Sequence, residues 1–154
     1  MFNKYLIAFL VSMVPLIELR GAIPYSQLVD LPIIKSYIVS IIANMIPIPI
    51  VFLFARHVLN WGKDKPIIGK FFHFCLEKGL GAGDKLTKNR KRGAFLALML
   101  FVGIPIPGTG AWSGALGASL IGMRFRDAMI SIFLGVIMAG IIMATASYYG
   151  FNLL

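Results

Sequence analysis

The chain has 154 residues, of which 58% are hydrophobic and only 14% charged, with a mean hydropathy of +0.85. A soluble domain carries about a quarter charged residues, and here the apolar residues fall in long blocks, so composition argues against a soluble fold and for an all-α integral membrane protein. The net charge of +9 would suit nucleic acid, but ten of the fifteen basic residues lie within 56–92 and Arg124 and Arg126 add two more; such clusters beside apolar spans mark cytoplasmic loops, and no nucleic acid is expected.

Residues 5–17 are apolar but too few to cross a bilayer, which takes about 20 residues as a helix. Lys4 and the run after it look like a signal peptide; without a small-x-small cleavage site, and with Glu18 and Arg20 following at once, the segment reads as retained. Pro15, Gly21 and Pro24 interrupt the helix, so 3–30 reads as a hairpin with "IELRGAIPYS" at its tip. Asp30 and Pro32 then read as the N-cap and early-helix proline of the next element.

That element, 33–56, is long enough to span and ends at Arg56 and His57. It carries Asn44, Pro47 and Pro49, and each proline frees a backbone carbonyl, those of Ala43 and Met45. Two readings stand together here: a cavity lining or cation site, and a kinked helix with Asn44 bonded to a neighbour.

Residues 59–93 form a basic linker, expected on the cytoplasmic side. Within it Ile67, Ile68, Phe71, Phe72, Cys75 and Leu80 share a helical face that Lys70, His73, Glu77 and Lys78 avoid, the pattern of an interfacial helix. The loop "GAGDKLTKNRKRG" attracts anionic headgroups or serves only as a topology signal. "GAGDK" lacks the context of a phosphate loop, Ser, His and Asp gather into no triad, and Cys75 with His57 and His73 suggests neither a disulfide nor a zinc site. No enzyme activity, metal or cofactor is expected.

Residues 94–123 read as a second hairpin, broken by Pro105, Pro107 and Gly108, with Thr109 and Gly110 making the turn and N-cap of its second arm. Gly110, Gly114, Ala118 and Gly122 recur every fourth residue, a packing stripe within the chain or across a homodimer. Residues 127–150 are a full span, with Asp127 near the positive end of its helix dipole.

The second half (94–154) thus repeats the order of the first (1–58): short segment, Pro/Gly break, short segment, long span. Pro15 matches Pro105, and the spans align on Ser40 and Ser131. With 56–92 and Arg124 both cytoplasmic, the two units are inverted relative to each other, a recurrent transporter plan. The alternative, in which every short segment crosses, gives six spans, and the short segments count against it.

Ionisable groups at membrane depth are costly, so Glu18 and Arg20 read as functional: Glu18 as a proton carrier, Arg20 as anchor for an anionic group. A structural pair locking the hairpin is the other reading. The helix after Thr109 and Gly110 would present exposed N–H groups, an anion or headgroup site, unless the segment is a plain turn. The candidate substrate or ion site is therefore Glu18, Arg20, Asn44, Thr109 and Gly110.

"PLIELRGAIP" and "GIPIPGTGAWSGALGA" resemble the small multidrug export family, over nearly the whole chain. The resemblance implies membrane transport, and with the site residues above the chain reads as an exporter in the cell membrane, coupled to proton or sodium and working as a homodimer, of a small or amphipathic substrate with a polar or anionic headgroup. In architecture the chain is also similar to DedA-like proteins, whose paired re-entrant hairpins are linked to lipid-carrier translocation; "IPG" at 106–108 fits, but Ile104 and Gly110 stand where that group carries arginines. Arg20, or Arg124 and Arg126, would substitute. That likeness implies a lipid or polyprenyl-phosphate flippase as the alternative, with anionic membrane lipids as partners. A non-transporting assembly factor is the third reading.

Overall fold

The computed structural model describes residues 2–15, 17–62, 88–106 and 109–152. The expected interfacial helix, and Pro107 and Gly108, lie outside them. Among the described residues all regular structure is helical: α1 (Phe2–Met13), α2 (Glu18–Leu28), α3 (Ile33–Met45), α4 (Ile48–Gly62), α5 (Lys88–Gly103), α6 (Ala111–Leu120) and α7 (Phe125–Asn152).

The α1 and α2 helices form a hairpin. Pro15 stands in the break between them, and Lys4 at the start of α1 donates from Nζ to the Val29 carbonyl beyond the end of α2, at 2.8 Å, which fixes the arms antiparallel. At 1.5 Å per residue these arms are about 18 and 16 Å long, well short of a bilayer. Gly21 and Pro24, expected as further breaks, lie inside α2. An interior proline costs a helix about 3 kcal/mol or more; α2 is packed against α1, α3 and α7, and that burial overrides the local penalty.

Asp30 is likewise not an N-cap. It takes a left-handed φ of 57° just past α2, where Leu31 N–H bonds the Ser26 carbonyl (2.9 Å) and Asp30 N–H that of Gln27 (3.1 Å), a Schellman-type helix end. The same motif closes α6: Gly122 has φ 69°, Met123 N–H bonds Ala118 and Gly122 N–H bonds Ser119. The two hairpins end alike, one with aspartate and one with glycine in the left-handed seat.

Two stretches are long and apolar enough to cross a membrane, Ile33–Ala55 and Phe125–Gly150, close to the expected spans. The first bends at Ile46 and Pro47, dividing α3 from α4. The second opens with Asp127 in its first turn, paired to Arg124 Nε at 2.9 Å.

The α5 helix begins at Lys88, inside the sequence-defined linker, because lysine and arginine are good helix formers and a change of polarity does not end a helix. It folds back on α6, where a Cβ on Gly114 would meet Val102 at 2.6 Å and Leu98 at 3.3 Å.

Packing treats the two arms of each hairpin differently. The first arm of each hairpin lies on its own span, α1 on α3 and α5 on α7; the second arm crosses to the other half, α2 to α7 and α6 to α4. The buried core joins both halves through Leu19, Ile23, Phe52, Val102, Ile132 and Val136. Outside, Leu6 and Leu10 on α1, Ile50 and Phe54 on α4, and Phe133 and Ile141 on α7 are exposed, a surface suited to lipid.

Candidate functional site

The two hairpin tips interlock. Glu18 opens α2 with a left-handed φ of 53° and is only 3% exposed. That conformation costs a non-glycine residue about 1–2 kcal/mol, and the turn it makes sends the carboxylate out of α2 toward the second hairpin. There Oε2 accepts from Ala111 N–H and Oε1 from Trp112 N–H, both at 3.1 Å. These are among the N-terminal donors that α6 cannot satisfy internally. Gly110, the N-cap of α6, has no side chain to cap them, so an acid 93 residues away does so. A negative charge also suits the positive end of the helix dipole.

Arg20 attends to the opposite helix end. Its guanidinium donates through Nη2 to the carbonyls of Val102 (3.0 Å) and Ile104 (3.1 Å) and to Thr109 Oγ1 (3.1 Å), and through Nη1 to the Ile106 carbonyl. Val102 lies in the last turn of α5, whose carbonyls lack helical partners, and a cation is favoured at that negative end. The Thr109 hydroxyl, with one proton, turns back to the Ile104 (3.0 Å) or Ile106 (2.8 Å) carbonyl instead of capping α6. One hairpin therefore supplies an acid for the start of α6 and a base for the end of α5.

Close approach dictates the glycine. A Cβ on Gly110 would lie 2.5 and 2.6 Å from the two Glu18 oxygens.

Four of the five predicted site residues thus come together: Glu18, Arg20, Thr109 and Gly110. Asn44 makes no hydrogen bond to them. It is fully buried on α3, and both its amide atoms lack a partner among the described residues. The register of α2 and α3 sets its depth, since Glu18 is ten residues before Leu28 and Ala43 is ten after Ile33. Pro15 is exposed at the first tip, and Pro105 half-buried at the second.

Trp112 was missed in the sequence. Its backbone holds Glu18, and its buried indole Nε1 has no partner among the described residues, as is true of Arg20 Nε. Its place directly after the Thr-Gly-Ala turn was the available signal.

Two helical stretches long and apolar enough to cross a membrane, with a buried acid and a half-buried base where two helical hairpins meet, mark a membrane protein with a polar site between its hairpin tips. The chain belongs to the family described as "Putative small multi-drug export protein", whose model matches residues 18–142, from Glu18 itself through both tips and most of the second span. No curated protein and no solved structure matches it, so the wider DedA-like resemblance finds no support there.

Proposed function

We propose that this chain is a proton-coupled membrane exporter of a small or amphipathic substrate with an anionic or polar headgroup, and that Glu18 exchanges the proton. The observation that carries this reading is the seat of the Glu18 carboxylate on the Ala111 and Trp112 N–H groups. The N-terminus of a helix is a general anion site. A headgroup anion and the carboxylate are alternatives for it.

Protonation removes the charge from Glu18, weakens its hold on the N–H pair, and opens the seat. Arg20, already at the same turn, supplies positive charge to the incoming group. Proton and anion are then bound together and cross as a pair without net charge. Hairpin arms shorter than a bilayer support re-entrant tips, and the matched hairpin ends with crossed packing support two repeats, which the basic 56–92 segment orients as inverted. Rocking one repeat against the other exposes the tips to each side in turn.

The test is native mass spectrometry of the protein extracted from membranes rich in phosphatidylglycerol. Glu18→Gln, held neutral, is expected to retain more anionic lipid than the wild type, and Arg20→Ala less. Equal retention by all three proteins would sink the headgroup site and leave Glu18 and Arg20 as a lock between hairpins.

A further inference from the structure

The α3 helix is built inside out. Ile34, Ile38, Ile42 and Ile46 recur every fourth residue and are 46–72% exposed, whereas Ser36, Ser40 and Asn44, also every fourth residue, are fully buried. The two rows lie on opposite sides of the helix. A lipid-facing isoleucine row needs no explanation in a membrane protein; an inward row of three polar side chains does.

None of these polar groups has a partner among the described residues: the hydroxyls of Ser36 and Ser40 and both amide atoms of Asn44 are buried without a hydrogen bond there. Several other hydroxyls of the described helices are satisfied locally, though that of the buried Ser119 on α6 is not. Ser12 donates to Ala8 and Thr145 to Ile141, each four residues back along its helix. The second half makes the contrast sharper. Ser131, which aligns with Ser40, donates to the Phe95 carbonyl at 2.6 Å. Gly135, aligned with Asn44, leaves no room for a side chain, with the Met99 carbonyl and Val102 2.7 Å from where its Cβ would stand. That seam between α5 and α7 is closed and satisfied. The corresponding face of α3 carries three side chains with hydrogen-bonding capacity to spare. Close helix packing explains small serines, but it does not explain an amide, with two donors and an acceptor oxygen, at full burial.

We propose that Ser36, Ser40 and Asn44 line a narrow hydrated path, about 12 Å long at the helical rise, from the α2–α3 loop to the depth of Glu18. Resting on the exporter reading above, the path carries protons between that face of the membrane and the Glu18 carboxylate. A hydronium ion at the loop end passes its proton to the next water. Each serine hydroxyl accepts one proton and releases its own, and the last water gives its proton to a Glu18 oxygen, so no other bond changes. The Asn44 amide orients the innermost water.

Silver ion, small enough for a single file of water, tests the path without reference to transport. In a Cys75→Ser background, Ser36→Cys, Ser40→Cys and Asn44→Cys are exposed to silver nitrate in chloride-free vesicles and read by intact mass. One silver adduct on each is expected when silver is added on the side of the α2–α3 loop, and none on Ala139→Cys in the dry core. Adding Ser40→Val should abolish the adduct on Asn44→Cys and spare that on Ser36→Cys. Failure of Ser40→Cys and Asn44→Cys to take up silver, or equal labelling of Ala139→Cys, would overturn the path. Labelling that succeeds while Glu18→Gln leaves lipid retention unchanged would keep the path and remove the exporter reading.

Discussion

Gly110→Ala is the most direct probe of the interlocked tips. The backbone of Gly110 is extended, with φ 160° and ψ −173°, so alanine suffers no conformational strain and the effect comes from space alone. The new methyl would start 2.5 Å from Glu18 Oε2, 2.6 Å from Oε1 and 2.8 Å from Cδ. The carboxylate must withdraw from its two N–H donors. A hydrogen bond to a charged group contributes about 1.5–3 kcal/mol, and glycine-to-alanine replacement returns about 0.4–1 kcal/mol through the unfolded chain. With two such bonds lost, the expected net loss is about 2–5.6 kcal/mol, read by denaturant unfolding in detergent micelles with tryptophan fluorescence. The new methyl meets the Glu18 carboxylate, so the same substitution in a Glu18→Ala background should cost about 1 kcal/mol or less, giving a coupling well above additivity. Equal cost in both backgrounds, or a Gly110→Ala protein within about 0.5 kcal/mol of the wild type, the usual scatter of a neutral change, would refute the account.

Arg20→Lys keeps the charge but replaces a planar fork serving four acceptors with one ammonium; a loss of about 1–3 kcal/mol in the same assay is expected. Gly140→Ala places a methyl 2.4 Å from Tyr37 Cε2 and 3.0 Å from Leu19 Cδ1. It should lower stability by about 1–3 kcal/mol by wedging the first hairpin and α3 off α7. Gly117→Ala meets nothing within 4 Å among the described residues and should instead stabilise α6 by about 0.5–1 kcal/mol; destabilisation by both would mean that helix contacts are not what separates them. Asp30→Gly relieves a φ of 57° and should raise the melting temperature slightly, whereas Gly122→Ala, at φ 69° in the matching seat, should lower it by the equivalent of about 1 kcal/mol.

The amino-acid sequence alone determined the long-range outline. Apolar blocks of sufficient length located the two spans, and Pro15 and Pro105 located the hairpin breaks, because span length and proline geometry are local properties of a chain. It also singled out Glu18 and Arg20, since an ionisable pair between apolar segments is costly wherever it ends up. Which partners these two would take was beyond local reasoning. A proton for the acid and a headgroup for the base are readings open to the sequence; the helix start and helix end, 82–94 residues away, that the two side chains meet in the fold are not. That choice follows from which unsatisfied helix ends are brought together. Tertiary structure also decided that Gly21 and Pro24 stay helical, because packing on three neighbours outweighs a propensity. It turned the serine and asparagine row of α3 inward and its isoleucines outward, because in lipid the polar side of a helix is the one a protein hides.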